Sequence, residues 1–150
     1  MFFSKDKKNN NQSNLVKIGA LLIHAAKIDE NFSIEEEKII KKTLLSLGAN
    51  QAELDNLIIK SKQSEENANQ ILDFTREIKN LDDANKIKII KSLWKIIYSN
   101  KDADIYETNL MRRLAGLLYI DNKTMGDIKE KIKQNSKWHI SLTTIVLSAN

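Results

Sequence analysis

Residues 21–47, LLIHAAKIDENFSIEEEKIIKKTLLSL, set out one helix, an acidic bend at Asp29-Glu30-Asn31, and a second helix opening on Ser33-Ile34-Glu35-Glu36. The same plan returns at residues 93–118, LWKIIYSNKDADIYETNLMRRLAGLL: a shift of 71 residues (29 to 100) sets Asn100 on Asp29, Glu107 on Glu36 and Leu110 on Ile39. Two helix-turn-helix units therefore frame the chain. The expected fold is all-α, a compact bundle of about seven helices.

The helical reading follows from spacing. Leu15, Ile18, Leu22 and Ala26 share one stripe, while Leu21, Ile23, Ala25 and Ile28 spread the apolar surface around the helix, as expected of a central, buried element. His24 inside it is expected to be a buried or half-buried structural histidine. Ser33 and Glu36 have the capping-box spacing, Ile40, Leu44 and Leu47 form the next stripe, and Gly48 supplies a left-handed stop. Asn50 is placed to cap a third helix bearing Leu54, Leu57 and Ile58. A break or kink is expected at Ser64-Glu65-Glu66-Asn67, before a fourth helix with Ala68, Ile71, Leu72, Thr75 and Ile78 on one face. Asp82 or Asp83 opens a second central helix through Ile87, Ile90, Trp94, Ile97 and Tyr98, broadened by Ile89, Leu93 and Ile96. Asp104 with Glu107 repeats the capping spacing ahead of Leu110, Leu114, Leu117 and Leu118, and Asp121 or Asn122 opens a seventh helix on Met125, Ile128 and Ile132.

The ends are different. Residues 1–13 are polar, rich in Asn and Lys and without period, and read as a flexible N-terminal arm. Residues 14–134 form the helical domain. Residues 135–150 carry Trp138 and a β-branched apolar run, expected to pack on the bundle because an exposed run of this kind invites aggregation.

Composition narrows the function classes. The chain has 150 residues, 41% of them hydrophobic and 29% charged, with no Pro, no Cys and four Gly, so disulfides and thiolate chemistry are excluded and helices with short connections are favoured. No apolar run is long enough to span a membrane, and the opening MFFSKDKK is too short in apolar residues for a signal peptide. The expected location is cytoplasmic, peripheral to the inner membrane at most. The net charge of +4 is scattered among acids instead of forming a stripe, so no nucleic-acid partner is expected. With no nucleophile, phosphate loop or His-carboxylate pair at a usable spacing, the chain is read as a non-enzyme with no catalytic residues.

The acids in the bends have two readings. Glu35, Glu36, Glu37 and Glu107 at helix starts are accounted for by capping and the helix dipole, and on physical grounds alone capping is preferred. Asp29 is different: a carboxylate at a helix C-terminus faces the negative end of the dipole and needs a cation, either Lys27 or Lys38 or a metal. Asp29, Asn31 and Ser33, and again Asn100, Asp102 and Asp104, occupy positions one, three and five of a calcium loop. The sixth position is Ile34 or Ile105 and the twelfth Ile40 or Met111, so neither bend is an EF-hand.

The two segments resemble the halves of a TerB-like (tellurite-resistance protein B-like) domain, in which an apolar helix, Asp-Gly, a short turn and a Glu seven residues after the Asp are repeated. The likeness covers roughly residues 15 to 133 and is most specific at Leu93-Trp94, Tyr98, Glu107 and Arg112-Arg113-Leu114. The N-terminal domain of DjlA-type co-chaperones is similar to that family, but His-Pro-Asp is absent here, and with it a J-domain. The resemblance implies a divalent-metal site, for calcium or magnesium, and a role in stress-related or membrane-associated assemblies with a protein partner, without established catalysis. By position Asp29 and Glu36 match the first motif and Glu107 the second. Glu30 and Lys101 replace the usual Gly and Asn100 replaces the second Asp, so a site here would be weak or would recruit Glu30, Asp102 or Asp104.

Overall fold

The computed structural model describes residues 2–27, 32–99 and 105–134, with backbone only for residues 2–11, 77 and 105–108. The described residues form seven α-helices and no strand. They are α1 (Phe2–Ala26), α2 (Ile34–Ser46), α3 (Leu54–Asn67, entered through a 3-10 turn at Gln51–Glu53), α4 (Leu72–Ile78), α5 (Asp83–Ser99), α6 (Ile105–Leu117) and α7 (residues 122–134).

The expected central helix is central. From Ile18 to Ala26 α1 buries Ile18, Ala20, Leu21, Leu22, Ile23, Ala25 and Ala26, and it packs against α2, α3, α4 and α5. Each fully buried Leu or Ile contributes roughly 1.5–3 kcal/mol through removal of apolar surface from water. The second central helix, α5, buries Ile89, Ile90, Leu93, Trp94, Ile96 and Ile97.

Helix directions follow from pairs of cross-contacts. Gln12 donates to Glu53 (3.0 Å) and His24 meets Glu65 (3.3 Å), so α1 and α3 run parallel. Lys41 pairs with Asp55 (3.2 Å) and Glu37 with Lys62 (3.7 Å), which sets α2 antiparallel to α3. Thr43 meets Ser92 through their hydroxyls, and Lys88 Nζ donates to the Ser46 carbonyl (3.2 Å), so α2 is also antiparallel to α5. At one end of the bundle this gathers the C-terminal ends of α1, α3 and α5 with the N-terminal end of α2.

The duplication extends to the helix stops. After α2 the Ala49 N–H donates to the Leu44 carbonyl (2.9 Å) and Gly48 N–H to Leu45 (3.1 Å). After α6 the Ile120 N–H donates to Ala115 (2.9 Å) and Tyr119 N–H to Gly116 (3.4 Å). Both are Schellman stops with the left-handed residue 71 positions apart, Gly48 at φ +106° and Tyr119 at φ +57°. Capping residues follow at the same shift. Asn50 Oδ1 accepts from Ala52 N–H (3.2 Å), and Asp121 Oδ1 accepts from Thr124 N–H (3.2 Å). Bonding to Thr124 holds the Asp121 carboxyl below its ordinary pKa.

The backbone of residues 2–13 is helical in continuation of α1, since extending a formed helix adds a hydrogen bond per residue without needing a buried face. Two expectations change. No break occurs at residues 64–67, because α3 continues to Asn67. The stop comes at Ala68, which is extended (φ −84°, ψ 138°), and the Asp73 carboxylate accepts from the amides of Asn69 and Gln70. The buried face of this region is Ile71, just before α4, with Phe74, Thr75 and Ile78 within it, and Leu72 is turned to solvent; moving the helix start moved the face.

Candidate functional site at the acidic end of the bundle

The end that gathers α1, α2, α3 and α5 is also where both acidic bends begin and where the first finishes. Asp29, Glu30, Asn100, Asp102 and Asp104 lie outside the described residues, as do Lys101 and the side chain of Glu107, so the second capping box is likewise not described. Residues 135–150 of the tail fall outside them too.

Glu36 is described in full. Ser33 is extended (φ −85°, ψ 163°); its hydroxyl accepts from the Glu36 N–H (3.1 Å), and a Glu36 carboxylate oxygen accepts from the Ser33 N–H (3.1 Å). This reciprocal box is worth about 1 kcal/mol to α2. Glu36 is buried at 4% exposure, so one of the residues matched to the family motif is also structural. Phe32, the residue before the cap, lies under the Lys62 ammonium (5.3 Å to the ring centroid).

A second acid at this end was not legible in the sequence. Glu65 is nearly buried and bridges two residues of α1: its Oε1 lies 3.3 Å from His24 Nδ1, and its Oε2 accepts from Lys27 Nζ at 2.9 Å. The hydrogen bond to Glu65 raises the Lys27 pKa above its ordinary value. Lys27 thus has a partner other than Asp29, for which it had been a candidate cation. His24 is half-buried, as expected, and tilts against Phe74 with centroids 6.0 Å apart. The fold makes a His-carboxylate pair that linear spacing excluded, because the two residues stand 41 apart on parallel helices. The available hint was a lone histidine inside an apolar helix, which needs a polar neighbour from elsewhere.

Among the described residues no three His, Cys, Asp or Glu side chains stand close enough together to hold a metal ion. Nor is any described helix long and apolar enough to cross a membrane.

A duplicated all-helical bundle, each half a helix, a second helix and a Schellman stop, is the class that this architecture defines. A family model described as Tellurite resistance protein TerB matches residues 16–130, and the chain belongs to that family. The match spans both units and ends within α7. Searches of curated proteins and of solved structures returned no match.

Proposed function

We propose that the chain is a non-enzymatic, cytoplasmic TerB-family module that works by binding. It presents the acidic end of the bundle to a protein partner in a stress-related or membrane-associated assembly, and takes up a divalent cation weakly at the same place. What supports this is the convergence of helix ends. The antiparallel register of α2 and α5 sets the N-terminal turn of α2, with Glu36, level with the C-terminal turn of α5. The bends carrying Asp29 and Glu30, and Asn100, Asp102 and Asp104, therefore start from neighbouring helix ends.

Calcium takes six to eight oxygens at about 2.3–2.6 Å and magnesium six at about 2.0–2.1 Å, so a site here needs carboxylates from both bends. Asn100 removes one charge and Lys101 adds a cation, which makes the affinity millimolar. Amide NMR during titration with calcium, magnesium, manganese and zinc tests it. Shifts confined to residues 28–37 and 100–108 are expected, and their absence at millimolar metal sinks the metal half of the reading.

A second reading is favoured by the capping box itself: the acids are caps only, and the module is a structural interaction bundle. Under it, Glu36→Gln retains a capping side chain and no metal-induced shift exists for it to remove. Under the first reading the same substitution removes shifts that the parent protein shows.

A further inference from the structure

The two units differ at one matched set of positions. In the first, Ile23, Ile40, Leu44, Leu54 and Ile58 are all buried and fill the space between their helices, and at its rim Lys41 pairs with Asp55 at 3.2 Å. Shifted by 71 residues, these positions are Trp94, Met111, Ala115, Met125 and Lys129, with Arg112 for Lys41 and Gly126 for Asp55. Leu44 has become Ala115 and the carboxylate has disappeared. The result is a cavity of about 130 Å³ between α5, α6 and α7, lined by the second set together with Asn122.

Its polar groups lack counterparts. Among the described residues Arg112 and Lys129 have no carboxylate partner, where Lys41 has Asp55. Lys129 Nζ sits 5.4 Å from the centre of the Trp94 ring. The indole Nε1 of Trp94 is buried, in a residue 4% exposed, and has no hydrogen-bond partner among the described residues. Trp94 is also stacked on Tyr98 (5.8 Å between ring centres), which fixes the ring. Burial and the neighbouring Glu130 raise the Tyr98 pKa, so the phenol stays neutral and adds no competing anion.

We propose that this cavity is a binding site for a carboxylate on a short apolar stem, which supplies from outside the counter-charge that Asp55 supplies within the first unit. The stem rests against Met111, Ala115 and Met125, and the carboxylate meets Arg112 and Lys129 at the mouth. A cavity of roughly 150 Å³ takes a benzene molecule, so one of about 130 Å³ admits a carboxylate carried on a stem of two or three carbons. A free short-chain acid and a glutamate side chain of a partner protein share this chemistry. Residues 135–150 contain no Asp or Glu, so no side chain of the tail offers it. The inference is independent of the acidic bends.

The test follows the two indole N–H signals by NMR, assigned with Trp138→Phe, while the full-length chain is titrated with n-butyrate, with a blocked Ala-Glu-Ala peptide, and with n-butanol as the neutral control. Saturable movement of the Trp94 signal with either acid and not with butanol is expected. Comparable affinities assign the free acid, and a peptide bound at least about tenfold tighter assigns a protein carboxylate. Arg112→Gln should weaken binding about tenfold, the scale of one charge-assisted hydrogen bond. Gly126→Asp rebuilds the pair of the first unit, and a Cβ at Gly126 meets nothing within 4 Å, so the fold survives and binding should be lost. No movement with either acid, or full binding by Gly126→Asp, overturns the proposal.

Discussion

Gly19 of α1 lies directly against Ser61 of α3, so close that a Cβ built on Gly19 would collide with the Ser61 side chain. Ser61 is fully buried and its hydroxyl donates to the Leu57 carbonyl (2.8 Å), so it has nowhere to retreat. Glycine here permits the close approach of two parallel helices. Gly19→Ala gains up to about 1 kcal/mol of helix propensity but overpacks the contact at about 1–3 kcal/mol, for a net loss near 1 kcal/mol in urea denaturation. Ser61→Gly in the same chain should recover part of that loss. Additive effects of the two substitutions would show that the collision is not the cause.

The capping box makes a graded prediction. Ser33→Ala removes the side-chain acceptor and should lower stability by about 1 kcal/mol. Glu36→Gln preserves the reciprocal bond and should cost less, chiefly the favourable placement of a charge at a helix N-terminus, about 0.3–1 kcal/mol. Thermal or denaturant unfolding of the two variants checks the order.

Tyr119 is a non-glycine residue at φ +57°, with its side chain 76% exposed, at the position where the first unit has Gly48. Tyr119→Gly should stabilise the protein by about 0.5–1 kcal/mol, since relief of left-handed strain outweighs the added freedom of the unfolded chain. Gly48→Ala should destabilise by a similar amount. A melting temperature that falls for Tyr119→Gly would refute the shared geometry of the two stops.

The Lys27–Glu65 bridge gives a pH dependence with a definite sign. The Lys27 pKa is raised in the folded state, so its contribution is fully present below the ordinary lysine value of 10.5 and is lost as pH rises through the folded pKa. Lys27 is 44% exposed, which limits the pair to below about 1 kcal/mol and makes it sensitive to salt. Glu65→Gln should remove the alkaline step from a stability-against-pH profile; a step that persists would belong to another group.

Local order is what the sequence by itself determined. The stripes of α1, α2 and α5, the capping box at Ser33 and Glu36, the stop at Gly48 and the duplication at 71 residues all rest on interactions within a few residues along the chain, and these recur at helical spacing. The end of α3 at Asn67 and the start of α4 at Leu72 differ from the sequence expectation for the same reason. Ser64-Glu65-Glu66-Asn67 is locally ambiguous, and Glu65 is drawn into α3 by His24 and Lys27, 41 and 38 residues away. Only the tertiary structure decided which helices run parallel, that both acidic bends start from one end of the bundle, and that Gly126 and Ala115 leave a cavity beside Trp94 where Asp55 and Leu44 fill it in the first unit. Such outcomes depend on the register of one helix against another. That register is set by contacts such as Gly19 on Ser61 and Thr43 on Ser92, whose members carry no mark in the sequence of the helix they will meet.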